Sequence, residues 1–304
     1  MKTKIIFFLS SGVTGAERVS ITLGKQLERG KYEVVFAIID NTFGEIVSFI
    51  PRQYQYHLVP LLRIEQYLKE QKPNKVFCSL IHLNDEVLKA TRQVGNIEVI
   101  LRNNYNLSDV SSELLNKAKY AYPKADLVIA QTEQMKQELM SVCGVSDDNI
   151  KVIDNPVDTE YIDEKLSGVS SPYPDDGNKH FCWVGRYNYI KGVDILIEGF
   201  AKAYHNNPII SLYMIGSIDE DDPYYQSIFE MVKSNGLQNT VHFVGFDSNP
   251  YKWMKYADSF IIPSRSEANS NVLKEAVYLG TPVIMTCDPN EMAQLLIEHS
   301  KQFN

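Results

Sequence analysis

The sequence predicts an α/β protein built from two doubly wound parallel-sheet domains. Three observations carry that expectation. The chain has 304 residues, more than one hydrophobic core usually organises, so two domains of roughly 150 residues each are expected. Short apolar segments alternate with amphipathic helical ones along nearly the whole length, the pattern of parallel strands covered on both faces. One stretch, residues 155–178, interrupts the alternation with Pro156, Pro172, Pro174, two glycines and several acidic residues.

The first half opens with residues 4–9, a continuous apolar strand. Lys2 and Lys4 before it imitate a secretory signal, but the run 5–9 is shorter than the roughly 7–15 residues such a signal needs. A small-residue loop, 10–14, leads to a helix from Ala16 with Val19, Leu23 and Leu27 on one face, ending at Gly30. Strands follow at 32–40, 75–80, 98–102 and 127–130, with helices at 61–71, 85–94, 111–122 and 133–142. Past the interruption, which holds a short helix at 161–166, strands are expected at 180–184, 210–215, 240–244, 259–262 and 282–285. Helices are expected at 193–205, 224–235, 251–256 and 271–279, with a last one from Asn290. The domains are placed at 1–160 and 161–304. Two such domains facing each other would set a cleft between the carboxyl ends of their sheets, where ligands of these folds bind.

Composition narrows the function classes. Hydrophobic residues make up 44% and charged residues 22%, so both domains can bury ordinary cores. The net charge is −8, and no basic stripe offers a nucleic-acid surface. The first 160 residues nearly balance, with about 19 basic against about 20 acidic, which is either ordinary variation between domains or would let that half approach an anionic membrane surface. Cys78, Cys143, Cys182 and Cys287 lack metal-ligand spacing and read as reduced thiols of a cytoplasmic protein. No run approaches the roughly 18 apolar residues of a membrane span. No zinc motif, nucleophile elbow, P-loop or Gly-x-Gly-x-x-Gly fingerprint is present, so metal, serine and dehydrogenase chemistry find no motif.

Several residues are candidates for chemistry. Gly185-Arg186-Tyr187-Asn188-Tyr189-Ile190-Lys191-Gly192 joins a strand to a helix at the carboxyl edge of the second sheet. Arg186 and Lys191 there suit a diphosphate, although two solvated cations would look the same. The run 263–275 leaves another strand: Glu267 lies in its loop, Glu275 one turn into the next helix. The helix start at Ser270, Asn271 and Val272 offers backbone N–H groups and the positive dipole end to an anion. Glu275 can accept from a ribose diol and Glu267 from sugar hydroxyls, although a surface loop residue and a helix-face carboxylate would look the same. In the first half, Gly15 either brings its backbone close to a ligand or serves a tight turn. His82, Arg102 and Asn103 follow strands and either face an acceptor or support loops.

Taken in order, these segments resemble glycosyltransferase family 4. Val13-Thr14-Gly15-Ala16-Glu17 is similar to its glycine-rich first loop, with Thr14 at the first glycine. Arg186 and Lys191 match its Gly-Arg…Lys-Gly pair, and Glu267 and Glu275 its Glu-x7-Glu signature, with Ala268 where glycine is usual. Ile153-Asp154-Asn155-Pro156-Val157-Asp158 resembles its approach to the interdomain linker, and Asn249-Pro250-Tyr251 a stretch of bacterial surface-polysaccharide members.

The resemblance implies a GT-B fold of two Rossmann-like domains. It implies a retaining, metal-independent hexosyltransferase that needs no cofactor and uses a nucleotide-sugar donor, with UDP-sugars favoured. Glu267, Arg186 and Lys191 would be catalytic. Gly15, Ser270, Asn271, Val272 and Glu275 would complete the donor site. The acceptor would be a glycan or lipid-linked glycan of capsule or O-antigen type, met by His82, Arg102 and Asn103 in the first domain. The enzyme would then be cytoplasmic, with peripheral contact at the inner face of the cell membrane through that domain. Family members usually continue past the segment near residues 281–285, so a C-terminally truncated second domain is also expected. An impaired donor-binding relative and a sugar-nucleotide epimerase are the alternatives.

Overall fold

The structure, a computed structural model, describes residues 2–39 and 44–301. Asp40, the predicted end of the second strand, lies outside the described residues, as does Met1. The chain divides into two compact units, Met1–Pro156 and Val157–Asn304.

The first unit runs β1 (Thr3–Ser10), α1 (Gly15–Gln26), β2 (Tyr32–Ile39), β3 (Gln55–Val59), α2 (Ile64–Gln71), β4 (Lys75–Cys78), α3 (Asn84–Val94), β5 (Glu98–Arg102), α4 (Ser112–Ala121), β6 (Leu127–Ala130), α5 (Glu133–Cys143) and β7 (Ile150–Val152). Among the described residues its strands form one sheet in the order β3-β2-β1-β4-β5-β6-β7, every pairing parallel. Ile5 to Leu9 of β1 are all buried, as a strand covered on both faces requires. The sequence pattern misses β3 and β7, and both are edge strands. Gln55 and Tyr56 of β3 and Lys151 and Val152 of β7 are exposed, so neither reads as a continuous apolar run.

The second unit runs α6 (Thr159–Leu166), β8 (Lys179–Val184), α7 (Val193–Asn206), β9 (Ile210–Ile215), α8 (Pro223–Ser234), β10 (Val241–Gly245), α9 (Pro250–Tyr256), β11 (Ser259–Ile262), α10 (Asn271–Leu279), β12 (Val283–Met285) and α11 (Pro289–Lys301). Its strands pair in parallel in the order β10-β9-β8-β11-β12. Core layers lie on both faces of this sheet. One joins Trp183, Phe181 and Leu212 to α7, α8 and α11. The other joins Cys182, Tyr213 and Phe260 to α6, α9 and α10.

Strand order fixes where each unit can bind a ligand. In the first unit the chain builds outward from β1 through β2 to β3, then restarts at β4 on the other side. In the second it builds from β8 through β9 to β10, then restarts at β11 beside β8. The loops leaving β1 and β4, and those leaving β8 and β11, therefore diverge around a topological switch point, where a crevice opens at the carboxyl ends of the strands.

Candidate functional site

The switch point of the second unit gathers most of the predicted residues. As β8 ends, Gly185 N donates to the Ile215 carbonyl at 3.0 Å. Gly216, at the end of β9, packs so closely that a Cβ there would overlap the Gly185 carbonyl. Arg186 follows. It is exposed, and its guanidinium has no hydrogen bond or ion pair among the described residues. Asn188 caps a short 3-10 turn, Tyr189–Lys191, accepting from Lys191 N at 3.0 Å. Gly192 then adopts φ +63° and starts α7.

The loop leaving β11 meets this turn. Lys191 Nζ lies 2.7 Å from Glu267 Oε1, and Ser264 Oγ donates to the same oxygen at 2.6 Å. Arg265 N donates to the Ile190 carbonyl at 2.8 Å. Its guanidinium grips Asp194 in a fork, with Nη1 at 2.8 Å and Nη2 at 2.6 Å, and reaches the Tyr189 carbonyl at 2.7 Å. It also lies over the Tyr189 ring at 3.8 Å. The Arg265 hydrogen bonds hold the Asp194 carboxyl at about 2, and the Tyr224 hydroxyl, 2.7 Å from Asp194, adds to that.

Beyond Glu267 the loop enters α10. Ser270 stands at its N-cap but makes no capping hydrogen bond, and its buried hydroxyl lacks a partner. The hydroxyl that ordinarily satisfies a first-turn N–H is thus uncommitted at the positive end of the helix. Asn271 and Val272 are half-buried in the first turn. Glu275, one turn on, is 7% exposed and held by neighbouring groups. The structure therefore brings Arg186, Lys191, Glu267, Ser270, Asn271, Val272 and Glu275 to loops at one switch point. Asp194 and Arg265 were not singled out in the sequence. They stand 71 residues apart, and the only hint was an acid opening a helix three residues after Lys191.

In the first unit Gly15 is the exposed first residue of α1. Thr14 and Glu17 form a capping box at this helix start, and the buried Glu17 carboxylate also accepts from Ser10 Oγ. Ser20 of α1 and Ser79, just past β4, share a hydrogen bond of 2.8 Å that ties the first helix to the loop leaving β4. His82 is exposed and belongs to the loop from β4. Desolvation pushes its imidazole below 6.5, against the pull of the Glu17 carboxylate.

Arg102 and Asn103 are placed differently, being 1% and 0% exposed. Arg102 donates to Asn104 and Asn155, and burial pushes its guanidinium down to about 10. Asn103 donates to the Tyr105 carbonyl at 2.8 Å and accepts from the Tyr122 hydroxyl at 3.3 Å. Both side chains are spent on holding the loop after β5, so of the three residues offered to an acceptor only His82 presents its side chain to solvent. Among the described residues no cluster of His, Cys, Asp and Glu is grouped to hold a metal ion. Nor is any helix there long and apolar enough to cross a membrane.

Two family models divide the chain between them. The model described as Glycosyltransferase Family 4 matches residues 13–161, and Glycosyl transferases group 1 matches residues 171–303. An uncharacterized glycosyltransferase of Methanocaldococcus jannaschii is 26% identical over 240 residues, 74% of this chain and 58% of its own length. The N-acetylgalactosamine-N,N'-diacetylbacillosaminyl-diphospho-undecaprenol 4-alpha-N-acetylgalactosaminyltransferase of Campylobacter jejuni is 25% identical over 307 residues, 92% of this chain and 80% of its own. Among solved structures, Anabaena HepE in complex with UDP and glucose superposes with a TM-score of 0.83 at 17% identity, covering 99% of this chain and 90% of that one. The chain belongs to the family 4-type glycosyltransferases, and its two parallel-sheet units have the GT-B fold.

Proposed function

We propose that this glycosyltransferase moves a sugar from a nucleotide-sugar, a UDP-sugar by preference, to a hydroxyl of a growing or lipid-linked glycan, with retention and without a metal ion. The observation that carries the reading is the convergence of Arg186, the Lys191–Glu267 pair and the start of α10 at one switch point. A departing nucleoside diphosphate develops negative charge on its terminal oxygens. Two side-chain cations and a helix N-terminus can stabilise that charge without reorganising. In the proposed step the anomeric carbon's bond to the phosphate oxygen breaks. The acceptor oxygen bonds to the same face, and its proton passes to the leaving phosphate. Glu267 holds hydroxyls of the transferred sugar and Glu275 the ribose.

Two relatives support the finer parts. HepE structures hold UDP, glucose and UDP-glucose, and the Campylobacter relative is named for a diphospho-undecaprenol acceptor. The first unit is the proposed acceptor side, with exposed His82 beside the loop that carries Gly15. It is also the proposed side for peripheral contact with the inner face of the membrane: Leu62 is 98% exposed there and Leu61 44%, next to Arg63.

Calorimetry with UDP, GDP and ADP in chelator, followed by a nucleotide-sugar panel scored for nucleotide release with and without glycan acceptors, tests the reading. Binding of one nucleotide, weakened more by Glu275→Ala than by Lys274→Ala, and release only with acceptor are the expected results. No binding of any of the three would overturn it.

A further inference from the structure

Lys191 and Glu267 belong to loops 76 residues apart in sequence, yet the two side chains meet at 2.7 Å. Something must hold the loops in register. Gly192 and Pro263 are in backbone contact, which limits how near the loops come but not how they slide. The sliding coordinate is fixed by Arg265. Its backbone N–H bonds the Ile190 carbonyl, one Nη1 bonds both the Tyr189 carbonyl and Asp194, and its second Nη closes the fork on Asp194. These bonds lie on both sides of Lys191 along the chain. Its ring-facing surface is filled by Tyr189 at 3.8 Å. Asp194 is held in turn by the Tyr224 hydroxyl, its N–H donating to that oxygen at 3.3 Å and its Oδ1 accepting at 2.7 Å. A bidentate guanidinium–carboxylate pair fixes orientation as well as distance, which a single ammonium does not.

We infer that Arg265 is a positioning residue for the donor site: clamped on Asp194, it sets the place of the Lys191 ammonium and, through it, the grip on the donor diphosphate. The inference rests on the donor-site reading above. Arg265 is given no contact with a reacting atom: both Nη1 hydrogens and one on Nη2 are committed to Asp194 and to the turn that carries Lys191.

The test is a double-mutant cycle in the full chain, read by calorimetry with UDP, GDP and ADP. Arg265→Ala is expected to weaken the nucleotide that binds about tenfold, with Arg265→Lys intermediate, a loss inside the range of coupling between neighbouring groups of one network. In a Lys191→Ala background the same change should cost less than about twofold, because the group it positions is gone. Losses that multiply in full would overturn the inference, since Arg265 would then act independently of Lys191.

A second readout needs no nucleotide. Limiting acetic anhydride labels Lys191 in competition with the exposed Lys233, and peptide mass spectrometry gives the ratio. The Glu267 carboxylate favours the charged, unreactive ammonium, so Lys191 freed from the register that seats it there should label several-fold faster in Arg265→Ala than in the parent. An unchanged ratio overturns the clamp. If the parent protein binds none of the three nucleotides, the donor-site reading fails, and the labelling ratio still decides whether Arg265 positions Lys191.

Discussion

Gly192→Ala isolates how much the donor loops depend on close backbone approach. At φ +63° an alanine pays about 1 kcal/mol for the left-handed conformation alone. Its Cβ would also lie 2.9 Å from the Pro263 carbonyl carbon and nearer still to the oxygen. That obstacle is backbone, so the loops must part, at the roughly 1–3 kcal/mol typical of overpacking. The sum is about 3 kcal/mol. Gly280 is the matched control, with φ +72° and nothing within 4 Å of its would-be Cβ, so Gly280→Ala should cost only about 1 kcal/mol. For a unit of this size those losses lower Tm by about 9 and about 3 °C. Both tryptophans, Trp183 and Trp253, lie in the second unit, so tryptophan fluorescence during heating or in urea reports its unfolding alone. Nucleoside diphosphate affinity should fall with Gly192→Ala and hold with Gly280→Ala. Equal destabilisation by the two substitutions would refute the reasoning, because it would show that the Pro263 carbonyl yields freely.

Two further outcomes follow from buried groups. Burial, with a smaller push from His180, holds the His242 imidazole below its ordinary 6.5, against the opposing pull of Asp176. The folded state thus binds fewer protons than the unfolded one, so this contribution is present above 6.5 and is lost as pH falls through the lower folded value. Between about pH 7.5 and about pH 5.5 the fluorescence-detected urea midpoint should drop. It should drop less in His242→Phe, which keeps a ring against Tyr213, now stacked at 4.4 Å; an identical drop would clear His242. In the first unit, Arg102→Met leaves the Asn104 and Asn155 oxygens it bonds without that donor. Asn104 Oδ1 keeps Gln131 Nε2 at 3.0 Å, so what is lost is the pair of bonds from a charged donor, about 1.5–3 kcal/mol each, largely offset by no longer burying a charge, for a net of about 2 kcal/mol. Circular dichroism should show the first unit melting earlier while the tryptophan transition stays in place, and no shift would mean that the loop after β5 repacks without cost.

What could be read in the sequence depended on whether a residue's role was local. The strands β1, β8, β9 and β11 are buried on both faces, so apolar runs announced them. The edge strands β3 and β7 mix exposed polar positions with buried ones and carry no such signature. The same division holds at the site. Gly192 and Lys191 sit within one strand-to-helix turn, where local spacing names them. The Arg265–Asp194 fork joins distant segments, and each partner alone looks like an ordinary surface charge. Arg102 and Asn103 show the converse. A polar pair at a strand's carboxyl end has one appearance whether it faces a ligand or supports its own loop, and only burial separates the two. The sequence does not mark Gly216, because a glycine after a strand is usually a turn. Its use here, letting β9 press against the Gly185 carbonyl, exists only once the two strands are paired.

The pairing of charges at the second switch point bears on how such a site stays ordered while empty. Cations gathered for a diphosphate repel one another when the anion is absent. Here Lys191 leans on Glu267 and Arg265 on Asp194, leaving Arg186 exposed and unpaired. These pairs are not equivalent. The Arg265–Asp194 fork has two parallel bonds and a stacked ring, so an arriving phosphate has little to offer it. Lys191–Glu267 is a single ammonium on a single oxygen, 26% and 14% exposed, and a phosphate carrying more charge than a carboxylate competes for it directly. Lys191 and Ser264 both bond Glu267 Oε1, so if Lys191 turns to the phosphate, that oxygen regains one lone pair and Ser264 still holds the carboxylate in the loop. The carboxylate assigned to the sugar is thus partnered, on one oxygen, by the cation assigned to the phosphate. Under the proposed reading, a donor whose diphosphate draws Lys191 away leaves Glu267 with more acceptor capacity for the sugar hydroxyls than a free sugar finds, since Lys191 and Ser264 share Oε1 in the empty site.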